Sequence, residues 1–278
     1  MLSGGLVLQL ALDTLATAGI YAIIGMGVFI AHSGTRVLHL AIGEVAMAGA
    51  LVASGLATSW PLWIAVIVGI AVGGAVSAAG ERALVAPLAR RVELAAILLI
   101  AGAVVLRELL RGLYSRAAYA FPSVGGVIRP SGGIIRVADI VTIGAALAVA
   151  AGGTWVLRNT IAGAALRATA AAPDSAELIG VDTARVRTAV FAVAGVLATA
   201  AALLAAGRLP IAATAGVPLA LKGIAAAVAG RLRSPLTVCA GALVIGTVQV
   251  AATYFWGSGG EVAADGVALL LLITGWRR

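Results

Sequence analysis

Charge is what this sequence has least of. Aspartate, glutamate, lysine and arginine make up 11% of 278 residues, while hydrophobic residues make up 62% and mean hydropathy is +1.11. A soluble domain carries roughly a quarter charged residues. A chain this poor in charge cannot cover its surface with groups that water solvates, so the bilayer is the expected solvent. Cysteine is represented by Cys239 alone, which rules out an intramolecular disulfide and argues against a cysteine metal centre. Two histidines and a scatter of acids give no nucleophile–base pair or metal-ligand spacing, which argues against a membrane-embedded enzyme. Aromatics are only 5% of the chain and do not interleave with basic residues, so the net charge of +8 and pI near 11.0 do not describe a nucleic-acid surface. No glycine-rich turn leads into Gly-Lys-Ser/Thr, so there is no P-loop for ATP. The opening residues, MLSGG, lack a basic stretch, and the first apolar run is expected to stay as a helix rather than be cleaved. No cofactor is called for.

What is present is alanine, glycine, valine and leucine in long runs, near residues 6–31, 41–57, 61–79, 94–110, 137–157, 188–206, 212–230, 236–256 and 262–276. The expected fold class is all-α. It is a polytopic membrane helical bundle of about eight or nine hydrophobic segments, one transmembrane domain over residues 1–278. The count turns on whether the short segments 41–57 and 212–230 span or re-enter. They hold loosely corresponding places in the two halves, and short, Gly/Pro-interrupted segments so placed point to a central pathway. Arginines in the short connections at Arg82, Arg90 and Arg91, at Arg231 and Arg233, and at the C-terminus read as inside the cell. Arg116, Arg129 and Arg136, in the irregular stretch 112–136, run against that rule. Gly69 and Gly73 form a GxxxG, and Ala46, Ala50 and Ser54 a row of small residues; both are expected packing seams.

Several ionisable residues sit in or beside apolar runs. Asp13 belongs at the interface before its helix enters hydrocarbon, because a charge at the bilayer centre costs about 2.5–3.5 kcal/mol on insertion scales; the alternative faces it into the bundle. His39, Glu44 and Lys222 accompany the two short segments and are candidates for the translocation path as well as for structural roles. An acid at a helix start, as Glu44 is, is favoured by the helix dipole. Arg107, Glu108 and Arg111 read as a salt-bridged helix end.

One polar island, residues 158–187, separates two long apolar runs. Pro173 suits the first position of a helix, with Asp174 and Glu177 early in it where the dipole favours acids. Gly180 suits the left-handed position that ends a helix, and Asp182 suits the N-cap of the next. The spacing predicts a helix of about two turns over 173–179. So short a helix is not stable alone. Its apolar residues Leu178 and Ile179 must therefore pack on the bundle itself or in a cleft on a soluble partner.

The island resembles the cytoplasmic loop of branched-chain amino acid importer permeases of the ATP-binding-cassette (ABC) class, the LivH/LivM type. Their pattern R-A-x-A-x-x-P-x-x-A-x-L-x-G-[IV]-[DN] falls on Arg167, Ala168, Ala170, Pro173, Ala176, Leu178, Gly180, Val181 and Asp182. Three further stretches agree in order: YAIIGMGVFIAHSGTRVLHLAIGEVAMAGA, ERALVAPL and LALKGIAAAVAGRLRSPLTVCAGALVIGTVQ. The chain departs from the family at His39 and Ile42, where Asn and His are usual, at Val85-Ala86 in place of Tyr-Arg, and at Arg231 and Arg233, where glycines are usual, with the glycine after Ser234 also missing. The resemblance implies a permease subunit in a bacterial or archaeal inner membrane, surrounded by lipid. Its partners would be a second permease, like or unlike, two ATP-binding subunits and an external substrate-binding protein. It implies ATPase coupling through Arg167, Pro173, Asp174, Glu177, Leu178, Gly180 and Asp182, and transport of branched-chain amino acids or related small polar solutes. The rival reading is an ion-coupled secondary transporter or channel, which would bind H⁺ or Na⁺ at Asp13, Glu44 or Asp265.

Overall fold

The computed structural model describes residues 4–89, 91–114, 118–122, 125–128, 135–208, 210–257 and 259–276. The helices among them are α1 (Gly4–Thr35), α2 (Ile42–Leu56), α3 (Leu62–Gly80), α4 (Val92–Leu113), α5 (Val137–Asn159), α6 (Ile161–Ala171), α7 (Pro173–Leu178), α8 (Thr183–Ala206), α9 (Gly216–Ala229), α10 (Pro235–Trp256) and α11 (Gly259–Trp276). Strands β1 (Val127–Ile128) and β2 (Ile135–Arg136) form a small antiparallel pair in the long connection before α5. Nine helices fall on the nine apolar segments, and α6 and α7 build the island. Among the described residues five stretches, containing α1, α3, α5, α8 and α10, are both long and apolar enough to cross a membrane. In α4, the charges of Glu93, Arg107, Glu108 and Arg111 interrupt the apolar run; α2 and α9 are too short. The chain is an all-α, multi-pass membrane bundle.

Helix α1 is the axis of the bundle. It is apolar on every side and packs against α5, α8, α9 and α10, as expected of a helix buried all round. Helix α3 runs between α2 and α8, and small residues set the spacing. A Cβ added to Gly69 would lie 2.7 Å from the Ala53 side chain, and one on Gly73 would lie 1.9 Å from Thr199 Oγ1. The GxxxG of α3 is therefore an internal seam. Ala46, Ala50 and Ser54 are all buried in the bundle.

Three local features differ from the expectation. The helix after Pro61 does not end at Gly80: it continues through a π-helical turn, Glu81–Val85, and a 3-10 turn, Ala86–Leu88. The reason is Glu81, which is buried and tied to α8. Thr188 donates to its carboxylate at 2.7 Å, and Arg187 lies 3.5 Å away. Much of the expected basic loop is thus helical; Arg90 in it, like Arg116 and Arg129 further on, lies outside the described residues. Secondly, Asp13 is turned towards the bundle by a partner from α8's end. Arg208, just beyond α8, donates to Asp13 at 2.8 Å, to Asp139 at 2.8 Å and to Thr17 at 2.9 Å, fastening α1 and α5 together. A planar guanidinium with several fixed donors suits this three-way contact. Thirdly, the turn before α10 keeps a glycine-like shape without glycine. Arg231 and Leu232 have φ of 56° and 49°, a region that costs an L-residue roughly 1–2 kcal/mol. The Leu232 N–H reaches back to Ala227 O at 3.0 Å, and a Ser234–Thr237 capping box then restarts the helix.

Candidate functional site

The two short helices meet head to head. Chain 36–41 turns back into the bundle through Arg36 at φ 59° and an Ile42 N–H to His39 O bond of 3.2 Å, and α2 starts there. Chain 210–215 does the same from the opposite end. It is pinned by paired backbone bonds between Ile211 and Tyr119 (2.7 and 2.8 Å), and α9 starts at Gly216. Residues 212–215, expected within the apolar segment, form this entry turn. A Cβ on Gly43 would sit 2.0 Å from Gly216 O, so the helix starts touch backbone to backbone. From that junction α2 runs towards the Arg208 end, where Ser54 donates to Ala120 O at 3.4 Å, and α9 runs towards the island. Broken helices of this kind are tolerated at membrane depth only where protein buries them or they line a cavity.

Lys222 and Glu44 line two different cavities, one on each side of this junction. Lys222, on α9, is 5% exposed, and its Nζ lies 3.4 Å from Asp265 Oδ1 and 5.9 Å from the centre of the Tyr21 ring. It borders a cavity of about 420 Å³ with Thr17, Tyr21, Arg208, Gln249 and Glu261. The Tyr21 hydroxyl donates to the Gln249 side-chain carbonyl across the same wall. Glu44, on the first turn of α2, borders a cavity of about 290 Å³ between α2, α4 and α9, and Arg107 is the other ionisable group there.

His39 stands apart from both. It is buried against α3 and α8, with Nε2 2.8 Å from Ser77 Oγ and its ring stacked 4.5 Å from Phe191. Ser77 gives its proton to Phe191 O at 2.5 Å, so it accepts from Nε2–H, which fixes the tautomer. The structure thus makes His39 a core residue between α3 and α8, outside the two cavities described above. Sequence reasoning passed over Tyr21, Gln249, Arg107 and Arg208 as lining groups. Gln249 carried a signal, a polar residue inside an apolar helix; Arg208, between two apolar runs, carried none.

The island holds two helices, of which α6 was not foreseen. Thr160 caps α6 by accepting from Gly163 N–H at 3.1 Å. Helix α7 begins at Pro173, carries Asp174 in its first turn, and ends at Gly180 with φ 88°. Val181 N–H bonds Ala176 O and Gly180 N–H bonds Glu177 O, both at 3.0 Å, the paired bonds of a Schellman ending. Glu177 accepts from the Thr183 hydroxyl, and Asp182 caps α8 by accepting from Arg185 N–H at 2.9 Å. Ala176 is the buried foot of α7, whereas Leu178 is 89% and Ile179 75% exposed. Among the described residues, then, Leu178 and Ile179 do not pack into the bundle. Arg167 lies on the far side of α6, beside Arg158 and Arg233 around a basic cavity of about 310 Å³.

A helical membrane bundle with short helices broken at its centre, a cavity holding ionisable groups on each side of the break and an ordered helical loop outside the apolar spans belongs to the class of membrane permeases. The comparisons narrow the class. The profile of the family described as branched-chain amino acid transport system / permease component matches residues 10–274, and the chain belongs to that family. A solved structure, PsaBC from Streptococcus pneumoniae in complex with Fab, has the same fold with a TM-score of 0.53. Its chain is 12% identical, and the alignment covers 95% of this chain and 90% of that one. No curated protein matches the chain.

Proposed function

We propose that the chain is the permease subunit of a binding-protein-dependent ABC importer in a bacterial or archaeal cell membrane. It forms the path for branched-chain amino acids or related small polar solutes (amino acids, amides, urea). It works with a second permease subunit, two ATP-binding subunits and an external binding protein, and it binds no ATP itself. The family membership supports the permease role. The observation that carries the coupling role is the pair Leu178 and Ile179, held almost fully exposed on a short helix whose ending and foot are fixed. An apolar knob of that kind suits a cleft on a soluble partner. ATP binding closes the partners, α7 moves as a lever, and the path switches sides.

The test is Leu178→Asp in the complete complex in proteoliposomes. Insertion and thermal stability stay at wild-type values, because the side chain touches little of its own chain, while ATP-driven uptake falls by about tenfold or more. Uptake at the wild-type rate refutes docking at this helix. The ion-coupled alternative draws on Glu44, a buried carboxylate without a hydrogen-bond partner. It predicts uptake that a proton uncoupler abolishes and that loss of the ATPase partner leaves intact.

A further inference from the structure

We infer that Glu44, at the junction of α2 and α9, receives the ammonium end of an aliphatic amine or amino acid, with Arg107 across the same cavity serving the carboxylate where the solute has one. This rests on the permease reading above and adds the residue and the solute end it recognises.

Glu44 is 3% exposed, yet neither carboxylate oxygen has a hydrogen-bond partner. A buried charge without a donor is unfavourable unless something else compensates. Here two helix starts do. Glu44 is in the first turn of α2, and Gly216, the first residue of α9, is so near that a Cβ there would lie 2.9 Å from Glu44 Oε2. The positive ends of both helix dipoles therefore meet at this carboxylate. They do so without occupying its lone pairs. The oxygens are left for a ligand with several N–H donors, which is what a primary ammonium offers.

The rest of the wall selects further. Ile100, Val104, Ala220 and Ile224 make it apolar, and Arg107 is the other charged group. Arg107 keeps donors to spare: among the described residues its one salt-bridge partner is Glu108, at 3.8 Å from Nε. One carboxylate, one guanidinium and an aliphatic wall around about 290 Å³ match a small zwitterion with an apolar side chain. That space equals the liquid volume of roughly ten waters. At the neighbouring cavity, by contrast, the acid Asp265 already has a cation, Lys222, at 3.4 Å.

The test has two arms on the complete complex. In the first, Glu44→Gln lowers leucine uptake about tenfold while binding-protein-stimulated ATP hydrolysis stays at the wild-type rate, and Glu44→Asp recovers part of the uptake. In the second, Cys239→Ala removes the native thiol and Val217→Cys, on the cavity wall, is labelled with a methanethiosulfonate reagent. 3-Methylbutylamine slows labelling, 4-methylpentanoate does not, and Glu44→Gln removes the protection. Wild-type uptake in Glu44→Gln overturns the inference, as does loss of ATP hydrolysis together with uptake, which marks a structural carboxylate. So do protection by the acid rather than the amine, protection by sodium alone, protection that survives Glu44→Gln, or a Val217→Cys that never labels. If the wild-type complex moves no leucine while the amine still protects, the solute named under the proposed function fails and the ammonium site stands.

Discussion

Arg208→Met is the perturbation whose size the structure sets most directly. The guanidinium holds Asp13, Thr17 and Asp139 at once, at 2.8, 2.9 and 2.8 Å. Side-chain exposure is 14% for Arg208, 4% for Asp139 and 27% for Asp13. The Asp139 contact therefore dominates, since removing one partner of a buried pair leaves an uncompensated charge and costs about 3–5 kcal/mol. Asp13 is wetter, and a pair near solvent contributes about 0.2–1 kcal/mol. Asp139→Asn costs less than Arg208→Met, because Arg208 keeps Asp13 and Thr17. Neutralising all three, as Arg208→Met with Asp13→Asn and Asp139→Asn, recovers most of the loss, since replacing a buried ion pair by neutral groups is often nearly neutral. The assay is equilibrium unfolding in mixed micelles, with Arg185→Met as control. Arg185 also has an acid partner, Asp182 at 2.9 Å, but its side chain is 87% exposed, so its loss changes stability by no more than about 0.5 kcal/mol. If Arg208→Met matches the Arg185 control, or the triple variant is no better than Arg208→Met alone, the clamp argument fails.

Gly180→Val places a β-branched residue at φ 88°. Nothing lies within 4 Å of an added Cβ, so the effect is backbone strain alone, upwards of about 1–2 kcal/mol. Membrane insertion is expected to stay normal while ATP-coupled uptake and binding-protein-stimulated ATP hydrolysis fall, with Gly180→Ala milder; unchanged values in the valine variant sink the lever. Gly73→Ala drives a methyl to within 1.9 Å of Thr199 Oγ1 and costs about 1–3 kcal/mol in the same unfolding assay. Thr199→Ala in that background returns part of it, and no loss in Gly73→Ala denies the α3–α8 seam.

The bundle was legible because its signals are local. Apolar runs of spanning length, a proline at a helix start and a glycine at its end each act within a few residues, and α7 with its Asp182-capped successor follows from them. Three things were not legible, for one physical reason: they depend on partners distant in sequence. Asp13 faces inward because Arg208 waits for it. Glu81 keeps α3 helical past Gly80 because Thr188 and Arg187 hold it. His39 belongs to the core because Ser77 and Phe191 receive it. From the chain alone His39, Glu44 and Lys222 look alike, each a polar residue beside a short apolar segment. Only the packing separates one core residue from two cavity walls.

Helix α7 is joined to the α2–α9 junction by two chains of contact, which also touch each other where α8 packs on α1. Its ending is locked by the Schellman bonds and by Thr183 on Glu177, so force applied at Leu178 moves the start of α8 rather than bending the loop. One route continues through Arg187 and Thr188 to Glu81, hence to α3, which packs on α2. The other passes through α6, where Ala170 O accepts from Arg36 at 2.7 Å, to α1, which packs on α9. The helices that meet at Gly43 and Gly216 are thus reached by different chains of contact. On the proposed docking reading, a displacement of α7 pulls on both sides of the junction by unequal paths. On that reading, unequal displacement of the two helices would open or close the gap between their touching backbones. Coupling of this kind requires two discrete states of the junction, and the close fit of Gly43 on Gly216, with no side chain between them, gives the touching state its shape.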